Sequence, residues 1–241
     1  MAHGAPDWFG AHPQGLVHRI SDMAELAARL GSPDVFDRRG NVMFMCSFEN
    51  GASGWTFLPS GGVAAGYPSA NTVRGGALCL NVFTDALAGA GSIWYRFIPL
   101  PMISRFGVEI AFGLPTDVRD VLLSIWVFTG TVWSTYTTRW RQSTGVLSVL
   151  NAAGAWETVA SPGPLRTSNT AGYVLKMVAD PMNLRYVRIV FNAQSYDAST
   201  IAPQSVASAT PPVCAITFGG VSDIAGSVLI PFDDIIFTVN E

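Results

Sequence analysis

Charge is what this chain has least of. Only 13% of its 241 residues are Asp, Glu, Lys or Arg, while 49% are hydrophobic; about 25% charged is ordinary for a soluble domain. The formal charge of −3 provides no basic footprint for nucleic acid. Lysine is scarcer still, since Lys176 is the only one among 14 cationic residues. An arginine surface suits fixed, bidentate contacts, and a GC-rich genome produces the same bias. Cysteine is limited to Cys46, Cys79 and Cys214, without a CxxC spacing, which argues against a disulfide framework or a zinc site and for buried free thiols. No apolar run approaches the ~20 residues of a membrane span. The opening "MAHGAPDWFGAHPQG" lacks the cationic start and apolar core of a signal peptide, so synthesis in a reducing cytoplasm is expected. Histidine is confined to His3, His12 and His18, so the rest of the chain lacks the commonest general base. No G-x-S-x-G, P-loop or GxGxxG is present, and Asp85, Glu109, Asp117, Asp120 and Glu157 are scattered singly. A non-enzymatic protein is expected. With so few charges, polar cover must come from Ser, Thr, Asn and Gly, or from a partner.

What the chain does have is strand after strand. Residues 1–20 show no periodicity but carry Trp8, Phe9, Leu16, Val17 and Ile20, as in an arm laid on another surface. "SDMAELAARLG" predicts one short helix: Asp22 and Glu25 form a capping box, and Gly31 and Pro33 end it. Ile20, Met23, Leu26, Ala27 and Leu30 make its apolar stripe. From "FDRRGNVMFMCSFENG" onward, short segments rich in Val, Ile, Thr and aromatics alternate with Gly, Pro, Asn and Asp, at about the 8–12-residue spacing of a sandwich or barrel. Val42, Phe44, Cys46 and Phe48 are expected on one face of the first strand, and "NAAGAW" as a tight hairpin. Two Ser/Pro/Ala/Thr-rich stretches, "LPSGGVAAGYPSANTVRGG" and "STIAPQSVASATPPV", are long for loops within a compact domain. The expected architecture is all-β: an antiparallel jelly-roll β-sandwich over residues 41–241, behind an N-terminal arm and short helix over residues 1–40.

"TVWSTYTTRWRQ" is the best candidate for a ligand surface. Alternation places Trp133, Thr135, Thr137 and Arg139 on one face and Ser134, Tyr136, Thr138 and Trp140 on the other. Sugars stack on exposed aromatic faces, which makes Trp133, Tyr136 and Trp140 candidate glycan contacts. The competing reading is that large aromatics such as these are core or interface anchors.

"SFENGASGWTF" resembles the start of jelly-roll carbohydrate-binding modules, in which a first strand runs into an F-E-x-G-x-x-G-W-like pattern: here Phe48, Glu49, Gly51, Gly54 and Trp55. Those modules often end on a strand with an acidic pair, as in "LIPFDDIIFTVN" with Phe232, Asp233, Asp234 and Ile236. The resemblance covers about thirty residues at the two ends of the sandwich. It implies that first-strand and last-strand acids lie close together and hold a structural calcium ion, with Glu49 and Asp233 as ligands. The alternative is that Glu49 pairs with an Arg and Asp234 accepts a backbone hydrogen bond.

A second resemblance spans Asp22–Leu30, Phe36–Val42 and Phe48–Trp55, about a fifth of the chain. It is similar to the opening of structural proteins of tailed-phage virions, where a short helix and an F-D-R-R-G-N-V turn lead into a β-sandwich. It implies a virion location and a capsid-decoration or tail role, with a capsid or tail protein as partner and self-association into a homo-oligomer. Trp8, Phe9, Met23, Leu26 and Leu30 would then be anchors. In "DRRGN", Arg38 and Arg39 before a turn suit a carboxylate grip, as an inter-subunit salt bridge with the preceding helix, or else form an ordinary solvated pair. Two functions are therefore expected: a structural virion component, or a glycan-binding sandwich.

Overall fold

The structure, a computed structural model, describes residues 40–59, 66–70, 72–74, 76–84, 91–101, 103–223 and 228–241. The arm, the helix at Asp22–Leu30 and the anchor candidates Trp8, Phe9, Met23, Leu26, Leu30, Arg38 and Arg39 lie outside the described residues. Gly40–Glu241 forms a unit of its own, and its described part is all-β.

Among the described residues sixteen strands run in chain order: β1 (Asn41–Cys46), β2 (Thr56–Pro59), β3 (Gly66–Ser69), β4 (Cys79–Phe83), β5 (Gly91–Pro99), β6 (Phe106–Leu114), β7 (Val118–Phe128), β8 (Val132–Arg141), β9 (Val146–Leu150), β10 (Trp156–Ala160), β11 (Ser168–Asp180), β12 (Arg185–Phe191), β13 (Gln194–Asp197), β14 (Gln204–Ala207), β15 (Val213–Ser222) and β16 (Leu229–Val239). They form two antiparallel eight-stranded sheets. Sheet A has the order β13-β12-β11-β6-β16-β4-β3, with β1 also on β16. Sheet B has the order β10-β9-β8-β7-β15-β5-β2, with β14 also on β8. Each sheet turns one face inward, and the two inner faces make one apolar core. This is the expected jelly-roll-like sandwich. The mechanism is alternation: Phe106, Val108, Ile110 and Phe112 of β6 meet Leu123, Ile125, Ile216 and Phe218 of β7 and β15 within it.

The stretch around "FENGASGWTF" belongs to that core. β1 stops at Cys46, and Phe48 turns back with φ 58° instead of continuing the strand. Its ring is nevertheless buried, packing on Trp55 (6.0 Å between centroids) and Phe218 (6.2 Å). The alternation expected for Val42, Phe44 and Cys46 holds, all three half-buried between the exposed Asn41, Met43 and Met45, although the β1–β16 register slips between Val42 and Phe44; it ends at Phe48, which lies beyond the strand. The β9–β10 hairpin is as expected: Asn151 Oδ1 accepts from the Ala153 and Ala155 amides, and Gly154 takes φ 74°. Each long Ser/Pro/Ala-rich stretch carries a strand of its own, β3 in the first and β14 in the second.

Both sheets share one construction. β8 gives one edge to two partners: β9 pairs from Thr138 to Arg141, and β14 from Val132 to Thr135. Tyr136 and Thr137 fall between them. β16 likewise gives Leu229–Phe232 to β4 and Ile235–Val239 to β1, leaving Asp233 and Asp234 in the gap. Its register against β6 shifts there, with Asp234 at φ 46°, as at a β-bulge.

Candidate functional site

The β8 gap is closed from the opposite sheet. Tyr186, inward on β12, crosses the core so that its hydroxyl accepts from the Thr137 amide at 2.9 Å. It donates to the Leu150 carbonyl at 2.8 Å, with the Thr137 carbonyl at 3.2 Å as the alternative acceptor. The Thr137 amide, opposite neither β9 nor β14, is thereby satisfied, and the middle of β8 is tied through Tyr186 to the end of β9 and to the core. That fixes the outward side chains of β8 on a firm base.

Those outward side chains are Trp133, Thr135, Thr137 and Arg139. Cross-strand registers extend the face: Phe128, Trp126 and Ser124 of β7 lie opposite Trp133, Thr135 and Thr137. Ala215 and Thr217 of β15 follow, then Phe97 and Tyr95 of β5. An aromatic row results. Phe97 and Tyr95 are 5.4 Å apart, Tyr95 and Trp126 are 6.2 Å apart and stacked, Trp126 and Trp133 meet edge-on at 6.2 Å, and Phe128 stacks on Trp133 at 5.4 Å. Phe97 is 52% exposed, while Tyr95, Trp126 and Trp133 are half-buried. Ser124, Thr137 and Thr217 lie low between the rings, and Thr135 is half-buried beside Trp133. Beside the row a cavity of about 190 Å³ is lined by Trp133, Thr135, Gln204, Ser205 and Val206. The Trp133 Nε1 proton has no hydrogen-bond acceptor among the described residues. The Trp133 ring, the Thr135 hydroxyl and the Gln204 amide thus line one concave spot. That combination suits a polar ligand with apolar faces.

The alternation expected for "TVWSTYTTRWRQ" is observed, but it divides the three candidate sugar contacts. Tyr136 and Trp140 are corrections: both are fully buried. Trp140 stacks on Phe191 at 4.4 Å, and Tyr136 meets Tyr186 edge-on at 5.5 Å, so neither ring can meet a glycan. Trp133 alone of the three faces outward. Tyr95, Phe97, Trp126 and Trp156 join it on sheet B's outer side, and the sequence reading overlooked them. A strand's own alternation shows which residues share a face, but not which face is solvent-bound or which strand lies alongside.

The acids at the two ends of the sandwich do come together. Glu49 Oε1 accepts from the Ala77 and Leu78 amides at 2.8 and 3.1 Å. Asp233 Oδ2 accepts from the Arg74 amide at 3.1 Å, and its Oδ1 from the Asp234 amide at 2.9 Å. The Arg74 guanidinium stands 4.0 Å from Asp234 Oδ2. Burial pushes the Asp234 carboxyl up to about 6, with Arg74 pulling it down and Glu49 pushing it further up. Among the described residues no group of three or more His, Cys, Asp or Glu side chains is placed to hold a metal ion. Glu49 and Asp233 are engaged with backbone amides, and Arg74 supplies the local positive charge, so this set does not fit a calcium ion. The alternative partners are also exchanged: Glu49 takes the backbone donors and Asp234 takes the arginine.

A second cavity of about 370 Å³, lined by Thr72, Thr116, Asp117, Asn169 and neighbouring Pro and aliphatic side chains, opens near the β6–β7 turn. It is larger than the Trp133 hollow but has no aromatic ring in its lining. No described helix is long and apolar enough to cross a membrane.

No protein-family model and no curated protein sequence matches the chain. Solved structures do resemble it in fold. An alginate lyase, vAL-1 from a Chlorella virus, has a TM-score of 0.55 at 8% identity, over 83% of this chain and 100% of that one. A Bacillus subtilis protein described as having a galectin-like fold has a TM-score of 0.53 at 10% identity, over 84% and 99%. A carbohydrate esterase, vb_24B_21 from the Shiga toxin-encoding bacteriophage phi24B, has a TM-score of 0.50 at 11% identity, over 84% and 100%. At such identities the likeness is one of fold: a β-sandwich.

Proposed function

We propose that the sandwich is a non-catalytic carbohydrate-binding domain and that the outer face of sheet B holds the glycan. One observation carries this: a row of touching rings, Phe97–Tyr95–Trp126–Trp133–Phe128, lies on an outward face with hydroxyls between the rings. An outward apolar surface of this kind calls for a partner, and the interspersed Ser, Thr and Gln side chains favour one that is itself part polar. The sandwich fold, shared with several carbohydrate-active proteins, supports the reading. Affinity gel electrophoresis against a panel of polysaccharides tests it. Retardation by at least one glycan, weakened about tenfold by Trp133→Ala or Trp126→Ala, is expected; a parent protein that no glycan retards ends the reading.

Attachment to a virus particle, with a capsid or tail protein as partner and a virion location, is a separate proposal. It rests on the sequence similarity of Asp22–Leu30, Phe36–Val42 and Phe48–Trp55, and the glycan-binding face is compatible with it. Its test is particle attachment by the full chain carrying Trp8→Ala and Phe9→Ala: attachment equal to the parent's rejects the anchoring role.

A further inference from the structure

One end of the same face carries an arginine whose charge is only partly answered. Arg139 follows Trp133 on the outward side of β8 by six residues, about 20 Å along the strand. Its side chain is only 11% exposed. The guanidinium lies over the Trp156 ring, 4.0 Å from the centroid, and Trp156 itself is 38% exposed. The nearest described carboxylate is Asp120, 3.9 Å away and beyond hydrogen-bond reach. Asp120 is already held by others: Arg141 places Nε 2.9 Å from one oxygen and Nη2 3.2 Å from the other, and Arg119 Nε stands 3.0 Å from the second. Asp223 acts on Arg141 as well. Arg139 Nε is buried with no hydrogen-bond partner among the described residues. A buried donor left without an acceptor is uncommon and calls for a specific reason.

We infer that the glycan bound on this face is an acidic polysaccharide, and that Arg139, stacked on Trp156, receives a sugar carboxylate about 20 Å along β8 from Trp133. This rests on the carbohydrate-binding reading and narrows it to uronic-acid chains. A guanidinium braced by an indole is a pre-set planar fork, which matches a carboxylate through paired N–H donors. Trp133 and Trp126 stack on sugar rings at one end of the run, Thr135 and Thr137 lie between, and Arg139 reads the charge at the other end. The chain's formal charge of −3 provides no long-range pull on a polyanion, so the selectivity has to be local.

The test compares the full chain with its Arg139→Gln, Arg139→Lys and Trp133→Ala variants. Affinity gels contain alginate, polygalacturonate, neutral xylan, neutral galactan or heparin, each run at low and high salt. The expected result is preferential retardation by the uronates. Arg139→Gln should weaken uronate binding about tenfold, Arg139→Lys should restore only part of it, and neutral binding should stay as it was. Trp133→Ala should weaken uronate and neutral binding alike. Neutral chains bound as tightly as uronates, heparin bound more tightly than either, or an Arg139→Gln protein of parental melting temperature and uronate affinity would each overturn the acidic-ligand inference. In those cases the aromatic-face reading stands as long as Trp133→Ala still weakens binding. Binding to none of the five removes both.

Discussion

Tyr186 and Tyr136 are both fully buried and meet edge-on at 5.5 Å, so stripping the hydroxyl from each gives a matched experiment. In Tyr186→Phe the ring remains and no cavity of consequence opens. What disappears is the acceptor for the Thr137 amide, in the gap between β9 and β14, and the donor to the Leu150 carbonyl at the end of β9. A buried backbone group left without its partner costs about 1–3 kcal/mol. Two such groups, partly relieved by local adjustment, give an expected loss of about 2–4 kcal/mol. For a domain of this size each kcal/mol moves the melting temperature by about 2–4 °C, so a fall of roughly 5–15 °C is expected. The Tyr136 hydroxyl, in contrast, has no hydrogen-bond partner among the described residues. Tyr136→Phe removes a buried polar atom that gains nothing, and should be neutral or slightly stabilising. Burial raises the ionisation of both phenols well above the usual range, so the comparison holds across ordinary pH. Urea unfolding of the two variants beside the parent measures the difference. Equal effects, or a Tyr186→Phe loss below about 0.5 kcal/mol, would refute the claim that this hydroxyl closes the β8 gap.

Trp140→Ala should cost about 3–5 kcal/mol of stability through a core cavity; a stable protein that merely loses glycan binding would contradict its placement against Phe191. Asp234 supplies a pH test. Its folded carboxyl titrates at about 6, above the ordinary unfolded value of about 3.9. Between those values the folded state holds the proton more tightly, so its contribution is fully present below about pH 4 and is lost as pH rises through about 6. Asp234→Asn, which tolerates the positive φ there, should therefore gain stability relative to the parent between pH 4.5 and pH 8; parallel urea profiles would reject this. Glu241 is buried and pairs with Lys176 at 2.7 Å and Arg188 at 2.6 Å. Glu241→Gln should destabilise by about 1–3 kcal/mol, because it weakens two buried charge-assisted hydrogen bonds, and an unchanged melting temperature would refute their contribution.

The alternation of "TVWSTYTTRWRQ" by itself separated Trp133, Thr135, Thr137 and Arg139 from Ser134, Tyr136, Thr138 and Trp140, because a strand's side-chain period is two whatever surrounds it. Turn chemistry likewise made the Asn151–Ala155 hairpin legible, since it needs only Asn151 and Gly154. The all-β class follows from spacing and composition in the same local way. None of this says which face meets water. That depends on which sheet lies behind β8, and it is Tyr186 and Phe191 of the opposite sheet that claim Tyr136 and Trp140 for the core. The aromatic row is invisible in the chain, since Phe97, Trp126 and Trp133 become neighbours only when β5, β15, β7 and β8 pair in that order. The closeness of Glu49 to Asp234, and the Arg74 that answers it, likewise depends on β1 and β4 dividing the edge of β16. Local periodicity is written residue by residue, whereas a binding surface is assembled from registers between segments far apart in the chain, and only the folded sheets set those registers.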